Sequence, residues 1–297
     1  MQFNNALQSG VIICDGAMGT ELQKRGLGKG VTPDSWNRTH PEQVKDVHKA
    51  YIQAGASAII TNTFGSNAMR LGKNKEYTVQ QLNQAGAEIA RECAGDKVLV
   101  LGDIGPTGFE DQLPPYGTVS KQVFYDAFKD QAIALANADV DAIIVETMSS
   151  IAEAVIAIQA VKDNTSKPLI CSMTFARPPV ARPDDLRTPW GDEVPDIIDA
   201  LTKTGADVLG SNCGDLVEEM PQLVKMMRSI TKLPLIFEIN AGRPRVDDEY
   251  RTIYSLEPEA FAEIILQIVD NGANIVGGCC GTNPEHIKAM NNCLKNR

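Results

Sequence analysis

No run of consecutive apolar residues in this 297-residue chain approaches the roughly 20 that a membrane span requires. The N-terminus, MQFNNALQSG, lacks the basic segment and apolar stretch of a secretion signal. Positive charge is in short supply: 28 Lys and Arg against 38 Asp and Glu give a net charge of −10, which speaks against nucleic acid or an anionic membrane as partner. The 3 histidines all fall away from the points where apolar runs stop, so a Ser-His-Asp triad has little support. No lysine sits at such a point either, which weakens a Schiff-base nucleophile. The structural-zinc spacing Cys-x-x-Cys is absent. So is the phosphate turn G-x-G-x-x-G after the first apolar run, where the chain reads Asp15-Gly16-Ala17-Met18-Gly19-Thr20.

What is present is an ordinary globular composition, 43% hydrophobic and 22% charged, on a chain long enough to bury a large core. Length alone suggests two domains at about 150 residues each, but α/β barrels of about 250 residues commonly form one unit. The 7 cysteines are odd in number and irregular in spacing, which fits reduced thiols in a cytoplasmic protein and not a disulfide framework.

Short apolar runs recur at Val11–Cys14, Ala58–Thr61, Val98–Leu101, Ala142–Val145, Leu169–Met173, Val208–Gly210, Leu235–Glu238 and Asn274–Val276. Continuous runs of this kind suit parallel strands covered on both faces. Helical stripes lie between them. Phe261, Ile264, Ile265 and Ile268 form one; Leu82, Gly86, Ile89, Ala90 and Cys93 a second; Val44, Val47, His48 and Tyr51 a third, preceded by a capping box from Thr39 to Glu42. Gly55, Gly205 and Gly272 suit the left-handed position that ends a helix. Eight strand–helix units predict an α/β fold, a single (β/α)8 barrel covering 1–297 as one domain. The Pro- and Arg-rich segment Ala176–Pro195 is then an active-site loop, functional or mobile.

Barrel chemistry sits at the C-terminal ends of the strands. Those ends carry Asp15, Asn62, Thr63, Asp103, Glu146, Thr174, Asn212, Cys213, Glu238, Asn240, Cys279 and Cys280, which reads as the lining of a polar pocket. Cys213 follows the sixth run and Cys279–Cys280 the eighth, close enough across a barrel mouth for three thiolates to meet. Three protein ligands with a vacant fourth corner mark a catalytic zinc. Neighbours on a regular strand point to opposite faces, so the vicinal pair can share an ion only if the backbone turns; Gly277, Gly278 and Gly281 allow that. A phosphate-binding loop at Gly277–Thr282 is the rival reading, although it gives two thiols no role. Cys14, Cys93, Cys171 and Cys293 read as packing residues.

Seven segments occur in an order that resembles the homocysteine S-methyltransferase family. They are Asp15–Thr20, Thr61–Gly65, Gly102–Gly108, Glu146-Thr147, Asn212-Cys213, Asn240-Ala241-Gly242 and Gly277-Gly278-Cys279-Cys280-Gly281-Thr282. The likeness is greatest to the homocysteine-binding module of cobalamin-dependent methionine synthase and covers nearly the whole chain. It implies a barrel with zinc held by the catalytic Cys213, Cys279 and Cys280. It places the substrate's amino group at Asp15 and Glu146, its carboxylate near the backbone of Gly16, Ala17 and Met18, and Asn240 beside the metal. The stretches Leu186–Asp192 and Arg177–Pro183 depart from the family pattern, as does Ile239 before Asn240. Three cysteinates leave a zinc site at −1, and a substrate thiolate makes it −2; that excess keeps the sulfur nucleophilic for in-line attack on a methyl carbon.

The implied activity is methyl transfer to homocysteine, giving methionine. The chain has no Asp-x-His-x-x-Gly cobalamin signature and no room for a second cofactor domain. Methylcobalamin would therefore arrive on a partner corrinoid protein. S-methylmethionine or betaine as donor, or another thiol as acceptor, are the alternatives, and Trp36, Phe64, Tyr116 and Trp190 are the candidate cation-binding aromatics. A metal-free enzyme on a phosphorylated metabolite and a non-catalytic barrel that binds a corrinoid protein stand further off.

Overall fold

The computed structural model describes residues 3–72, 76–177, 185–247 and 252–296. Eight parallel strands form one sheet: β1 (Ile12–Ile13), β2 (Ala58–Ile60), β3 (Leu99–Ile104), β4 (Ala142–Met148), β5 (Leu169–Met173), β6 (Val208–Asn212), β7 (Leu235–Ile239) and β8 (Ile275–Gly278). Their order is β1-β8-β7-β6-β5-β4-β3-β2, every pairing parallel. Eight helices follow the strands: α1 (Pro41–Ala54), α2 (Val79–Ala94), α3 (Lys121–Ala136), α4 (Ile151–Asn164), α5 (Val194–Thr204), α6 (Met220–Ile230), α7 (Pro258–Asp270) and α8 (Pro284–Lys295). The result is a (β/α)8 barrel, as the alternation of runs and stripes predicts. No helix among the described residues is long and apolar enough to cross a membrane.

The core has two layers. Inside the barrel, Ile12, Cys14, Leu99, Leu101, Ile144, Ile170, Val208, Ile236 and Ile275 pack on one another, and Phe3 joins the same cluster from a helix that precedes β1. Outside it, the alternate strand residues, such as Val100, Val145, Leu209 and Phe237, meet the helices. The period of two continues past the apolar runs and puts Asp103, Glu146, Asn212 and Glu238 on the inward face. Strands β3, β4 and β6 therefore run further than their apolar segments, and the inward residues they add, Asp103, Glu146 and Asn212, are polar.

The barrel closes at a seam. Strands β1 and β2 are stitched by the Ser57 amide donating to the Ile13 carbonyl (2.8 Å) and the Ile60 amide donating to the Asp15 carboxylate (3.1 Å). The 39–42 capping box does not form: Pro41 opens α1 and His40 is its N-cap, with no side-chain bond. Capping boxes occur instead at Thr78–Gln81 and Asn283–His286. Gly55 and Gly205 cap their helices at φ 109° and 107°.

His48, on the inner stripe of α1, is wholly buried with no hydrogen-bond partner on either ring nitrogen, and lies 4.0 Å from Asp15 Oδ2. Burial holds its pKa down at about 4. The unfolded chain takes up this proton near pH 6.5, the folded chain not until about 4, so acid feeds the unfolded state. Stability from His48 is full above pH 6.5 and is lost as pH falls towards 4, roughly 2 kcal/mol of it by pH 5. Urea unfolding at pH 7.5 and pH 5 should show that loss in the wild type and a smaller one in His48→Leu. Equal losses would contradict it.

Candidate metal centre

Strand β6 ends at Asn212, and the next two residues, Cys213 and Gly214, take left-handed φ of 59° and 75°. This reversal turns Cys213 over the barrel mouth, where its amide donates to the Glu238 carbonyl of β7 (3.1 Å). After β8, the Cys279 amide donates to the Ile239 carbonyl (2.8 Å) and the Thr282 amide returns to the Cys279 carbonyl (3.1 Å), closing a tight turn. Gly281 supplies that turn's left-handed residue at φ 82°, and a Cβ there would lie 2.2 Å from Cγ of Tyr254. The turn aims both cysteines at Cys213.

The three Sγ atoms lie within 4.8 Å of one another, with Cys213 and Cys280 at 3.8 Å. A tetrahedral zinc with bonds of about 2.3 Å needs sulfurs about 3.8 Å apart, so the donor set fits that ion. The chemistry fits too. Hydrogen bonds from the Cys213 and Cys279 thiols pull Cys280 down to about 3, while the bond Cys279 makes with Cys213 holds its own pKa well above the usual thiol range. Three sulfurs this close raise one another's cost of ionising. A cation among them would favour the ionised form of all three.

The sulfurs open onto a cavity of about 1470 Å³ in the barrel mouth. Gly16–Thr20, Asp103, Glu146, Glu238 and the loops around Val31 and Tyr254 line it. The Glu146 carboxyl, pushed up to about 8 by burial and then by the charge on Cys280, faces this space. Burial also lifts Asp15, Asp103 and Glu238 well above the usual carboxylate range. A cationic group entering the cavity would favour ionising one of them.

Of the predicted site residues, the three cysteines, Gly16, Ala17, Met18 and Glu146 line this one cavity. Asp15 does not. Its side chain is 3% exposed and committed to the β1–β2 seam beside Glu146. Asn240 is buried behind the sulfurs, its Nδ2 donating to the Gly214 carbonyl and its Oδ1 without a partner. The Ala17 amide is already spent on Thr282 Oγ1 (3.0 Å), which leaves Met18 and the amides after it for an anion.

Tyr51 and Thr282 hold the wall together from behind. The Tyr51 hydroxyl donates to the Ala17 carbonyl (2.8 Å), and Thr282 Oγ1 donates to the Cys279 carbonyl (2.7 Å). Together they tie the first turn to the cysteine turn, and a Cβ on Gly16 would strike both, at 2.9 and 2.6 Å. Tyr51 carried no signal beyond its place on a helix stripe. The phosphate reading of Gly277–Thr282 loses ground, since the amides of Gly278, Cys279 and Thr282 donate to protein carbonyls. Of the four aromatics offered as a cation cage, only Phe64 lines the cavity, and Arg70 lies 5.3 Å over its ring. Trp36 is buried on His40, and Tyr116 pairs with Trp190 elsewhere. The predicted loop Ala176–Pro195 lies partly outside the described residues, as does the unusual stretch Arg177–Pro183 within it.

Residues 12–294 match the profile of the homocysteine S-methyltransferase family. Methionine synthase of Mycobacterium tuberculosis is 30% identical over 300 residues, covering 96% of this chain and 25% of that protein. Methionine synthase of Mycobacterium leprae is similar at 30%, covering 94% and 24%. The chain thus spans about a quarter of the length of these relatives. In fold it is similar to the metallated homocysteine methyltransferase MmuM from Escherichia coli, with a TM-score of 0.79, 23% identity and coverage of 97% and 99%. A methyltransferase from Methanosarcina mazei shares the fold at a TM-score of 0.63 with 12% identity, covering 98% and 96%.

Proposed function

The chain belongs to the homocysteine S-methyltransferase family, and from that premise we propose that it methylates the thiol of homocysteine at a zinc ion held by Cys213, Cys279 and Cys280. The observation that carries this reading is the convergence of three sulfurs within 4.8 Å at the edge of a cavity that also holds a carboxyl group. When bound, the zinc supplies a Lewis acid that keeps a coordinated thiol in its nucleophilic, deprotonated form.

This chain's own groups do the rest. Glu146 offers the ammonium of homocysteine a buried carboxyl that the cation itself would ionise, and Asp15 lies beside it. The Met18 amide and those that open the helix Gly19–Lys24 present unsatisfied N–H groups to the carboxylate. Asn240 supports the turn after Cys213 through Gly214, and its buried Oδ1, without a partner, is a neutral oxygen it could offer to the metal. The domain is the whole of 1–297.

We assign methylcobalamin, carried by a separate corrinoid protein, as donor. Two observations support it. The cavity exceeds the roughly 300–1,000 Å³ of ordinary small-molecule pockets, far more than homocysteine fills. Among the described residues only two benzenoid rings, Phe64 and Tyr254, line the cavity, and Arg70 covers the first, which leaves a sulfonium or quaternary ammonium one aromatic face and no cage. The test is metal analysis of anaerobically purified protein followed by incubation with L-homocysteine and methylcobalamin. About one zinc per chain and methionine formation are expected. Methionine from S-methylmethionine or betaine alone would overturn the donor, and protein without zinc would overturn the centre.

A further inference from the structure

We propose that Asn212 is a positioning residue that joins ammonium recognition to the metal ligands. Its side chain is fully buried at the inner end of β6, between Glu146 and Cys213. Strand β4 loses register between Val145 and Met148, so Glu146 and Thr147 form a bulge, and Thr147 is left-handed at φ 59°. A bulge leaves ladder bonds unmade and re-aims a side chain, and a β-branched residue holds positive φ only when its surroundings impose it.

Asn212 supplies that constraint. Its Oδ1 accepts from the Thr147 amide (2.9 Å) and from the Ser172 hydroxyl. Its Nδ2 donates to Thr147 Oγ1 (2.7 Å) and to Glu146 Oε2 (3.0 Å). Two donors and two acceptor positions are all a carboxamide has, so every one is used and the group can be oriented only one way. The bond to Oε2 fixes which oxygen of Glu146 is left to face the cavity.

The same residue reaches the metal side. Nδ2 lies 3.9 Å from Cys279 Sγ, its positive end towards that sulfur. The following residue is Cys213, also left-handed at φ 59°. Among the described residues only Asp139, Thr147 and Cys213 combine a side chain with positive φ, and two of these three flank this carboxamide's contacts. The carboxyl that would hold the amino group is therefore fixed by a side chain that also borders the sulfurs that would hold the metal.

This inference rests on the proposed homocysteine site, and direct binding tests the two separately. The zinc-loaded protein is titrated with L-homocysteine and with 4-sulfanylbutanoate, which has the thiol and carboxylate but no amino group. Wild type should prefer homocysteine; if it binds neither, the proposed function fails. Asn212→Asp keeps the shape but turns both donors into acceptors facing Glu146. It should weaken homocysteine by about tenfold or more and leave 4-sulfanylbutanoate within about threefold, with zinc still bound. Ser172→Ala, which removes one anchor of the carboxamide, should move the same ratio in the same direction by less, and it decides the matter if Asn212→Asp does not fold. A loss shared equally by both ligands, or an unchanged ratio in either variant, would overturn the proposal.

Discussion

Cys213→Ala is expected to strip the metal centre, taking zinc from about one ion per chain to a trace after dialysis against a chelator. The reason is the geometry of the two supporting turns. Cys279 and Cys280 come from a single turn after β8, whereas Cys213 is the sole ligand from β6, so removing it leaves a vicinal pair that covers one side of an ion only. Structural zinc sites with four ligands are worth roughly 10–16 kcal/mol, or about 3–4 kcal/mol per ligand if shared evenly. One lost ligand then weakens binding by about 10²–10³-fold. Thiol methylation should fall by about thirtyfold or more with it, because a free thiol of pKa about 8.5 is only a few per cent thiolate at pH 7. Cys171→Ala is the control. That sulfur is buried in the outer core, far in kind from the cluster, and zinc should be retained. The chelator should lower the melting temperature of wild type and leave that of Cys213→Ala unmoved, since only a bound ion adds stability by mass action. Full zinc occupancy in Cys213→Ala would end the three-sulfur assignment.

How far could this site be read from sequence? The cysteine turn was legible because glycine is its own evidence: Gly281, at φ 82°, permits the bend that lets neighbouring sulfurs face one way. The matching bend at Cys213 was not, because a cysteine with left-handed φ carries no mark in the sequence; only Gly214 after it hints at a reversal. The strands were found from their apolar runs, but the ends of β3, β4 and β6 were missed, since Asp103, Glu146 and Asn212 break hydrophobicity while staying in the ladder. The site is built on those residues. The likeness implies Asp15 at the substrate's amino group; what no local pattern encodes is that one oxygen of its carboxylate also accepts from the Ile60 amide at the barrel seam. The capping box at 39–42 failed for a local reason: Pro41 fixes the helix start and makes His40 the cap.

Glu146→Gln is the second large effect expected. The substitution keeps the shape and the acceptor that Asn212 Nδ2 uses at 3.0 Å, and removes only the charge. Losing one partner of a buried charge pair costs about 2–5 kcal/mol, so KM for homocysteine should rise roughly a hundredfold. The turnover number should change little, because an ammonium partner contributes alike to the ground and transition states; steady-state kinetics would show the split. Zinc content should not change, and 4-sulfanylbutanoate should be indifferent to the variant. Combining it with Asn212→Asp sharpens the case. If Asn212 acts on homocysteine through Glu146, the double variant should bind no worse than Glu146→Gln, a failure of additivity expected of two groups in direct contact. Independent, additive losses would mean that Asn212 supports the pocket by another route, and an unchanged KM in Glu146→Gln would mean that the amino group is held elsewhere, with Asp103 and Glu238 among the other carboxyls that line the cavity.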